Sequence, residues 1–287
     1  MMEVLTNVDL KLSEIKKVVD QEGGCLAWGG NVRLSPADDI LIRVEKALDL
    51  DSEGQLVASV LSKKVAAGST HVLIDIPWGK TAKVRSLKQA QGLSRVFVEV
   101  GKKLGLVIEC LITDGSQPIG YGIGPALEAH DVLGVLQNKK NAPQDLKERA
   151  LLLASKILEM SGKFALGSGL ALARKSLESG AAFEKFSKIC MAQGGFKIPG
   201  LAPHSYDVVA SESGVVTSID NRSLARAAKL AGAPKASLAG IKMEVRLGYK
   251  VKKGDPLFTV YSESTGELAY SLEYIQSHPG IVTLEVQ

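Results

Sequence analysis

The sequence lacks the features of a membrane or secreted protein. No apolar stretch in the 287 residues approaches the roughly 20 residues that a membrane-spanning helix needs. The N-terminal segment MMEVLTNVDLKLSEIKK has no apolar signal core. Only three cysteines occur, and Cys25, Cys110 and Cys190 are far apart in apolar surroundings, which predicts buried thiols in a reducing compartment. We therefore expect a cytoplasmic protein without a membrane partner.

The sequence also lacks a recognisable metal or catalytic constellation. The four histidines are scattered, none is near a cysteine, and no Ser/His/Asp or Cys/His arrangement can be identified. Aromatic residues make up only 5%, the net charge is a mild +4, and no basic run is interleaved with aromatics. A nucleic-acid partner is therefore not indicated. We expect no cofactor and no metal centre.

What the sequence does contain is enough apolar chain for a large core, with 45% hydrophobic and 23% charged residues. Apolar runs at 71–76 and 104–113 predict buried strands, and helical patterns flank both. After residue 200, strand-like segments surround one predicted helix at 221–232. We expect an α/β domain at 1–200, with a mainly parallel sheet covered by helices, followed by a smaller α+β domain at 201–287.

Several other elements can be placed from their ends and their periodicity. Residues 8–22 predict an amphipathic helix, and GCLAW (24–28) predicts a short apolar strand. Ser35 as N-cap and Pro36 at the first helical position begin a helix over SPADDILIRVEKAL. Residues 144–193 contain only helical patterns.

The helix predicted at about 52–67 carries the first candidate site. Ser59 and Lys63 are four residues apart, so the hydroxyl and the ammonium project together. The opposite side carries an apolar stripe, formed by Leu56, Val57, Val60, Leu61 and Val65. One explanation is a solvated face, because charged residues on a helix usually face water. The other is a pair that binds a polar ring or an anion. The pattern alone favours the solvated face but does not decide between the two explanations.

The stretch LVASVLSKKVAAGSTHVLIDIPWGKTAKV resembles the core of the thymidine and pyrimidine-nucleoside phosphorylases. Their pattern is A-S-x-x-x-K-K, a short Ala/Gly link and an apolar strand ending in D-x-x-x-G. The later stretches SGAAFEKFSKICMAQGG, ASESGVVTSID and GYKVKKGDPLFTVY also resemble this family, so the resemblance covers nearly the whole chain. WGGNVRLSPADDILIRVE and DLDSEGQLVASVLSKK are most similar to the branch that includes AMP phosphorylases and bacterial proteins described as thymidine phosphorylases.

The resemblance implies nucleobase-binding roles for Ser59 and Lys63, which match the serine and the first lysine of the pattern. Arg43 is the nearest match to a base-binding arginine in the preceding helix, although that arginine aligns one position away, against Val44. A surface arginine is the alternative for Arg43. Some family members place a monovalent cation around a Gly-rich turn followed by a glutamate, which here is Glu128.

The implied reaction is phosphorolysis by a pentosyltransferase of nucleoside salvage, in which thymidine and inorganic phosphate give thymine and 2-deoxyribose 1-phosphate. The resemblance also implies a homodimer in the full-length form. The family's Lys/Ser-rich phosphate loop and its G-H-T-G-G-T-x-D-like signature do not occur in this sequence. We therefore expect an α/β domain that is incomplete at its N-terminus. We also expect the 287 residues alone to be inactive or nearly so.

Three alternative functions stay open. An AMP or nucleotide phosphorylase is one, although Gln55 offers no cation where AMP-specific members carry a lysine. A non-catalytic binding or dimerisation module is another. A biotinyl or lipoyl carrier is the third, because Lys242 beside Met243 resembles a carrier lysine. The alternating run around Lys242 favours a strand, so we expect a barrel-sandwich-like β core without a prosthetic group.

Two loops carry weaker signals. In GYGIGP, Pro125 stands near where a dinucleotide fingerprint needs its third glycine, so a tight turn before a helix is the better interpretation. In DIPWGK, a strand is expected to end at Asp75, at the sheet edge where α/β proteins bind ligands. Lys80 and Lys83 could meet an anion there or be solvated, and Trp78 is expected to cap the core.

Overall fold

The structure is a computed structural model that describes residues 1–29 and 53–286. The helix predicted from Ser35, and Arg43 within it, lie outside the described residues. The chain begins with a short 3₁₀ helix, Met2–Val4. The next elements in chain order are helix α1 (Leu12–Glu22), helix α2 (Glu53–Ala66), strand β1 (His71–Trp78), helix α3 (Leu87–Lys103) and strand β2 (Val107–Asp114).

Strands β1 and β2 form a parallel pair, in register from His71 opposite Val107 to Trp78 opposite Asp114. Parallel neighbours need a crossover, and α3 supplies it after Ser86 caps its first turn by accepting a 3.2 Å bond from the backbone N of Gln89. The apolar runs predicted as strands are confirmed. They share a core with α2 and α3, whose buried members are Val57, Leu61, Val72, Ile76, Val84, Ala90, Leu93, Phe97 and Leu106.

A series of helices follows the parallel pair, as the pattern over 144–193 predicted. The elements are strand β3 (Gly122–Ile123), α4 (Pro125–Leu136), α5 (Gln144–Met160), α6 (Gly169–Glu178) and α7 (Ala181–Ala192). The strand predicted at 24–28 is wrong, because this segment has no strand. The side chain of Gln193, at the end of α7, instead bonds the backbone N and O of Leu26 at 2.7 and 2.8 Å and therefore takes the place of a neighbouring strand.

The last part of the described chain is rich in short strands. It consists of β4 (His204–Val209), β5 (Gly214–Ile219), α8 (Asn221–Leu230), β6 (Gly240–Met243), β7 (Lys250–Val251), β8 (Pro256–Ser262), α9 (Thr265–Ser277), a 3₁₀ turn (Pro279–Ile281) and β9 (Val282–Glu285). Helix α9 was not expected from the sequence. Ser264 and Glu267 have the spacing of a capping box, which could have indicated where this helix begins. Gly266 in the first turn is a poor helix former and weakens that signal.

These strands form two antiparallel sheets, ordered β3-β6-β8-β4 and β7-β5-β9. The sheets and helices α8 and α9 bury one apolar cluster, in which Phe258 and Leu224 are almost fully enclosed. Strand β3 comes from the Gly-rich turn, so a short piece of the first part of the chain is an edge strand in the second. Taken together, the described residues form a mixed α/β structure. The barrel-sandwich arrangement and the boundary near residue 200 stay predictions.

The prediction of buried thiols is fully met only at Cys190. Cys190 is fully buried, whereas Cys25 and Cys110 are half-buried, and all three are free. Burial raises the pKa of the Cys110 and Cys190 thiols, which keeps them protonated at neutral pH. Among the helices that the structure describes, none is long and apolar enough to cross a membrane.

Candidate functional site

Helix α2 places Ser59 and Lys63 on one side and buries the other. Val57 and Leu61 are 2% and 1% exposed, as the apolar stripe predicted, but Val65 is 44% exposed and does not belong to the buried side. Ser59 and Lys63 are half-buried, whereas the neighbouring Lys64 is exposed. Their environment is therefore intermediate between a solvated face and a closed site, and their nucleobase-binding role stays a prediction.

A polar cluster near the carboxyl end of the parallel strands was not expected from the sequence. The carboxylate of Asp75 accepts a 2.6 Å bond from the Thr113 hydroxyl and a 2.8 Å bond from the Arg149 guanidinium. Arg149 also donates to the backbone oxygen of Asp114 at 3.0 Å. Strand β1 continues three residues beyond Asp75, to Trp78, so this carboxylate lies within the strand and not at its end.

The geometry of the parallel pair explains this cluster. Thr113 is opposite Pro77 in the register, and side chains two apart on a strand share a face, so Thr113 and Asp75 project to the same side. Helix α5 packs against β1 and brings Arg149 to the carboxylate. No local pattern could have predicted Arg149, because it is 74 residues from its partner in the sequence.

A polar cavity of about 300 Å³ lies beside this cluster. The carboxylates that line it come from the end of β2 and from α5, and its complete lining is Asp114, Gln117, Pro118, Ile119, Asp145, Glu148, Arg149 and Leu152. Two larger grooves are formed by described residues. One, of about 670 Å³, lies in the last part of the chain, and the other, of about 610 Å³, lies between α1 and α7. Ser59 and Lys63 line none of the three.

The loop after β1 is tied to the last part of the chain. The backbone N of Asn221, at the start of α8, donates to the Thr81 hydroxyl at 3.2 Å, and its side-chain amide donates to the Gly115 oxygen at 2.9 Å. Lys80 and Lys83 are exposed on the same loop. Trp78 is partly buried against the core of the parallel strands, which confirms that it caps this core.

Acidic side chains hold the Gly-rich turn at 117–124. The carboxylate of Asp131, on α4, accepts bonds from the backbone N of Tyr121 and Gly122 at 2.6 and 2.7 Å. Glu128 accepts from the backbone N of Gly124 at 3.0 Å, and Asp145 accepts from that of Gly120 at 3.3 Å. GYGIGP forms a turn that leads into α4, as predicted, except that Gly122–Ile123 is the short strand β3. The cation near Glu128 stays a prediction. Among the described residues, no cluster of His, Cys, Asp and Glu could hold a metal ion.

Burial raises the pKa of Asp131 above its ordinary value of 3.8, and nearby Asp145 acts in the same direction. The hydrogen bonds from the backbone N–H groups of Tyr121 and Gly122, and the charge of Arg246, lower this pKa but do not offset the effect of burial. The folded protein therefore binds this proton more tightly than the unfolded chain does. The stability that Asp131 contributes is present below pH 3.8 and is lost as the pH rises through its raised pKa in the folded protein.

We therefore expect the Asp131→Asn variant to gain in stability relative to the wild type as the pH rises from the acid side toward neutrality, and to reach a plateau there. An asparagine oxygen still accepts the two backbone bonds but needs no burial of charge. The measurement is the free energy of unfolding in urea for both proteins across this range. The expectation is contradicted if the difference in the free energy of unfolding between the two proteins does not depend on pH. It is also contradicted if the wild type becomes more stable relative to the variant as the pH rises.

Lys242 does not have the geometry of a carrier lysine. It lies in β6, opposite Gly122 of β3 on one side and Thr259 of β8 on the other. Its ammonium is 2.6 Å from the Glu244 carboxylate. A swinging prosthetic group needs an exposed hairpin turn, and Lys242 is inside a sheet, so this environment argues against the carrier.

The described residues form a mixed α/β structure with a cavity beside the Asp75–Arg149 pair. Comparison with known proteins shows which proteins this chain resembles. Residues 215–281 match the pyrimidine nucleoside phosphorylase C-terminal domain family. A Hahella chejuensis protein with the name "Putative thymidine phosphorylase" is 59% identical over 284 residues, which cover 99% of this chain and 56% of the relative. Proteins with the same name from Ralstonia nicotianae and Legionella pneumophila are 56% and 55% identical over 280 and 283 residues, and each match covers 55% of the relative.

The chain belongs to the thymidine and pyrimidine-nucleoside phosphorylase family, as the A-S-x-x-x-K-K stretch indicated. It spans about half the length of the curated relatives that it matches. The match to the C-terminal domain family includes β5, α8 and the strands around Lys242, so the last part of the chain resembles this phosphorylase domain.

Proposed function

We propose that this chain is the nucleobase-binding part of a pentosyltransferase that cleaves the N-glycosidic bond of a thymidine-like nucleoside with inorganic phosphate. The observation that carries the proposal is the A-S-x-x-x-K-K helix, with Ser59 and Lys63 half-buried on one face of α2, in a chain more than half identical to its named relatives. Arg43 is the third proposed base contact.

The chemistry suits these side chains. Phosphorolysis passes through an oxocarbenium-like sugar, and the departing pyrimidine gathers negative charge. An ammonium and a hydroxyl aimed at the ring oxygens stabilise that charge most in the transition state, so their effect appears in the rate and not only in binding. A half-buried Lys63 is favourable for this role, because partial exclusion of water strengthens its electrostatic interaction with the ring.

The phosphate nucleophile needs a site of its own. The family's phosphate-binding signatures are absent from these 287 residues, so we propose that the chain by itself turns over little or no nucleoside. A homodimer in the full-length form, inorganic phosphate as the sole co-substrate and a cytoplasmic location belong to the same proposal. The alternative substrate is a nucleotide such as AMP, which Gln55 disfavours because it carries no charge for the phosphate.

A nucleoside panel tests the proposal. The given chain and the same chain extended through its upstream coding region, called here the extended protein, are assayed with phosphate and thymidine, uridine, cytidine or AMP. We expect release of free base by the extended protein only, with thymidine preferred. If the extended protein prefers AMP, the substrate is a nucleotide and not a nucleoside. A folded extended protein that cleaves none of the four would favour the non-catalytic binding or dimerisation module.

A further inference from the structure

A buried arginine from the last part of the chain reaches into the first part. Arg246, in the segment between β6 and β7, is only 8% exposed. Its guanidinium donates to the backbone oxygen of Pro118, at 2.9 Å, and to that of Gly120. Both acceptors lie in the Gly-rich turn, more than 120 residues away in the sequence. A single side chain therefore satisfies two carbonyls of a turn that forms no regular structure at those positions.

Two further contacts fix the orientation of the guanidinium. It lies 3.3 Å from the Asp145 carboxylate and stacks 4.6 Å from the centre of the Tyr121 ring. A planar fork with five donors can hold two carbonyls, a carboxylate and an aromatic face together, whereas a lysine ammonium cannot match all four. The contacts therefore depend on the shape of the arginine as well as on its charge.

The backbone around Arg246 binds the same turn. The backbone N of Leu247 donates to the side-chain oxygen of Gln117 at 3.0 Å, and that of Met243 donates to the backbone oxygen of Tyr121 at 2.8 Å. Asp131, on α4, accepts bonds from the backbone N–H groups of Tyr121 and Gly122. The turn is thus held both by α4 and by the segment that carries Arg246.

This turn is one wall of the 300 Å³ polar cavity. Gln117, Pro118 and Ile119 line it together with Arg149, whose guanidinium is fixed by Asp75. A shift of the turn would move this wall relative to the cluster near the carboxyl end of β1 and β2. Arg246 has no atom among the cavity's lining, so it acts on the cavity through the turn.

We propose that Arg246 is a positioning residue that sets the shape of this cavity, and that the cavity is part of the substrate cleft of the phosphorylase. The second statement rests on the proposed function, whereas the first does not. The cavity is lined by Asp114 at the carboxyl end of β2, where α/β proteins bind ligands, although Ser59 and Lys63 do not line it. The last part of the chain then determines the geometry of a site whose other walls come from the end of β2 and from α5.

The first test is hydrogen exchange on the 287-residue chain, comparing the wild type with Arg246→Met and Arg246→Lys. Methionine fills similar space but leaves the two carbonyls without their donor and Asp145 without its ion-pair partner. We expect exchange of the Tyr121 and Gly122 amides to accelerate about tenfold or more in Arg246→Met and less in Arg246→Lys, with the β5–β9 amides unchanged. Arg226 is exposed on α8, so Arg226→Met is the matched control. It should change the exchange of neither the Tyr121 and Gly122 amides nor the β5–β9 amides.

Unchanged exchange at Tyr121 and Gly122 in Arg246→Met would overturn the positioning role. A uniform acceleration that includes β5 and β9 would also overturn it, because it would indicate general destabilisation.

The second test measures steady-state kinetics of the same variants in the extended protein. A positioning role predicts a KM for nucleoside that is about tenfold higher in Arg246→Met and partly restored in Arg246→Lys. Loss of kcat alone, at unchanged KM, would mean fewer folded molecules and would count against the link to substrate. A wild type without turnover would count against the proposed function only, because the exchange measurement needs no activity.

Discussion

Lys63→Ala is expected to lower kcat/KM of the extended protein for thymidine by about 100- to 1,000-fold, with most of the loss in kcat. The reason is that the ammonium meets a charge that develops on the pyrimidine only as the glycosidic bond breaks. Loss of one preorganised donor to a developing anion has effects of this size in other enzymes. Ser59→Ala should cost less, because a neutral hydroxyl contributes a weaker bond than a cation does.

Lys64→Ala is the matched control for this prediction. It removes the same charge from the adjacent position, but Lys64 is exposed and projects about 100° away around the helix. Its kcat/KM should stay close to that of the wild type. Equal losses in both variants would show that the effect is one of net charge, and the assignment of Lys63 to the base would then fail. A loss confined to KM would indicate binding without transition-state stabilisation.

Gly124→Ala is expected to reduce the free energy of unfolding by roughly 2–5 kcal/mol, from backbone strain together with overpacking. Gly124 has a φ of 127°, which side chains rarely tolerate. A Cβ at this position would also overlap the carbonyl oxygen of Ala239, which belongs to the backbone and cannot rotate away. The substitution should therefore disturb the junction at which β3 joins β6.

Gly254→Ala separates the two causes. Gly254 has a φ of 91°, but a Cβ there would meet no atom within 4 Å, so only the strain of about 1–2 kcal/mol applies. Urea unfolding of both variants measures the difference, which reports the overlap with Ala239. If the two variants lose the same stability, the close approach between the Gly-rich turn and the segment before β6 does not contribute.

The Gly-rich turn illustrates what could be predicted and what could not. Its glycines and the proline after them predicted a turn leading into a helix, because glycine adopts backbone conformations that other residues avoid, whereas proline has a fixed φ that suits the first turn of a helix. The pairing of Gly122 with Lys242 could not be predicted, since a two-residue strand has no periodicity to detect. Likewise, nothing near Arg246 in the sequence indicates a partner at Pro118 or Gly120.

The sequence by itself determined the parallel strands, most of the helices and the family, because apolar periodicity, capping residues and the A-S-x-x-x-K-K spacing are local properties of the chain. It also placed Ser59 and Lys63 on one helix face, which requires only the 100° rotation per residue. Only the tertiary structure decided the Asp75–Arg149 pair, the polar cavity beside it and the contacts of Arg246. Each of these joins residues far apart in the sequence, and their proximity depends on how the packed helices and sheets bury their apolar faces.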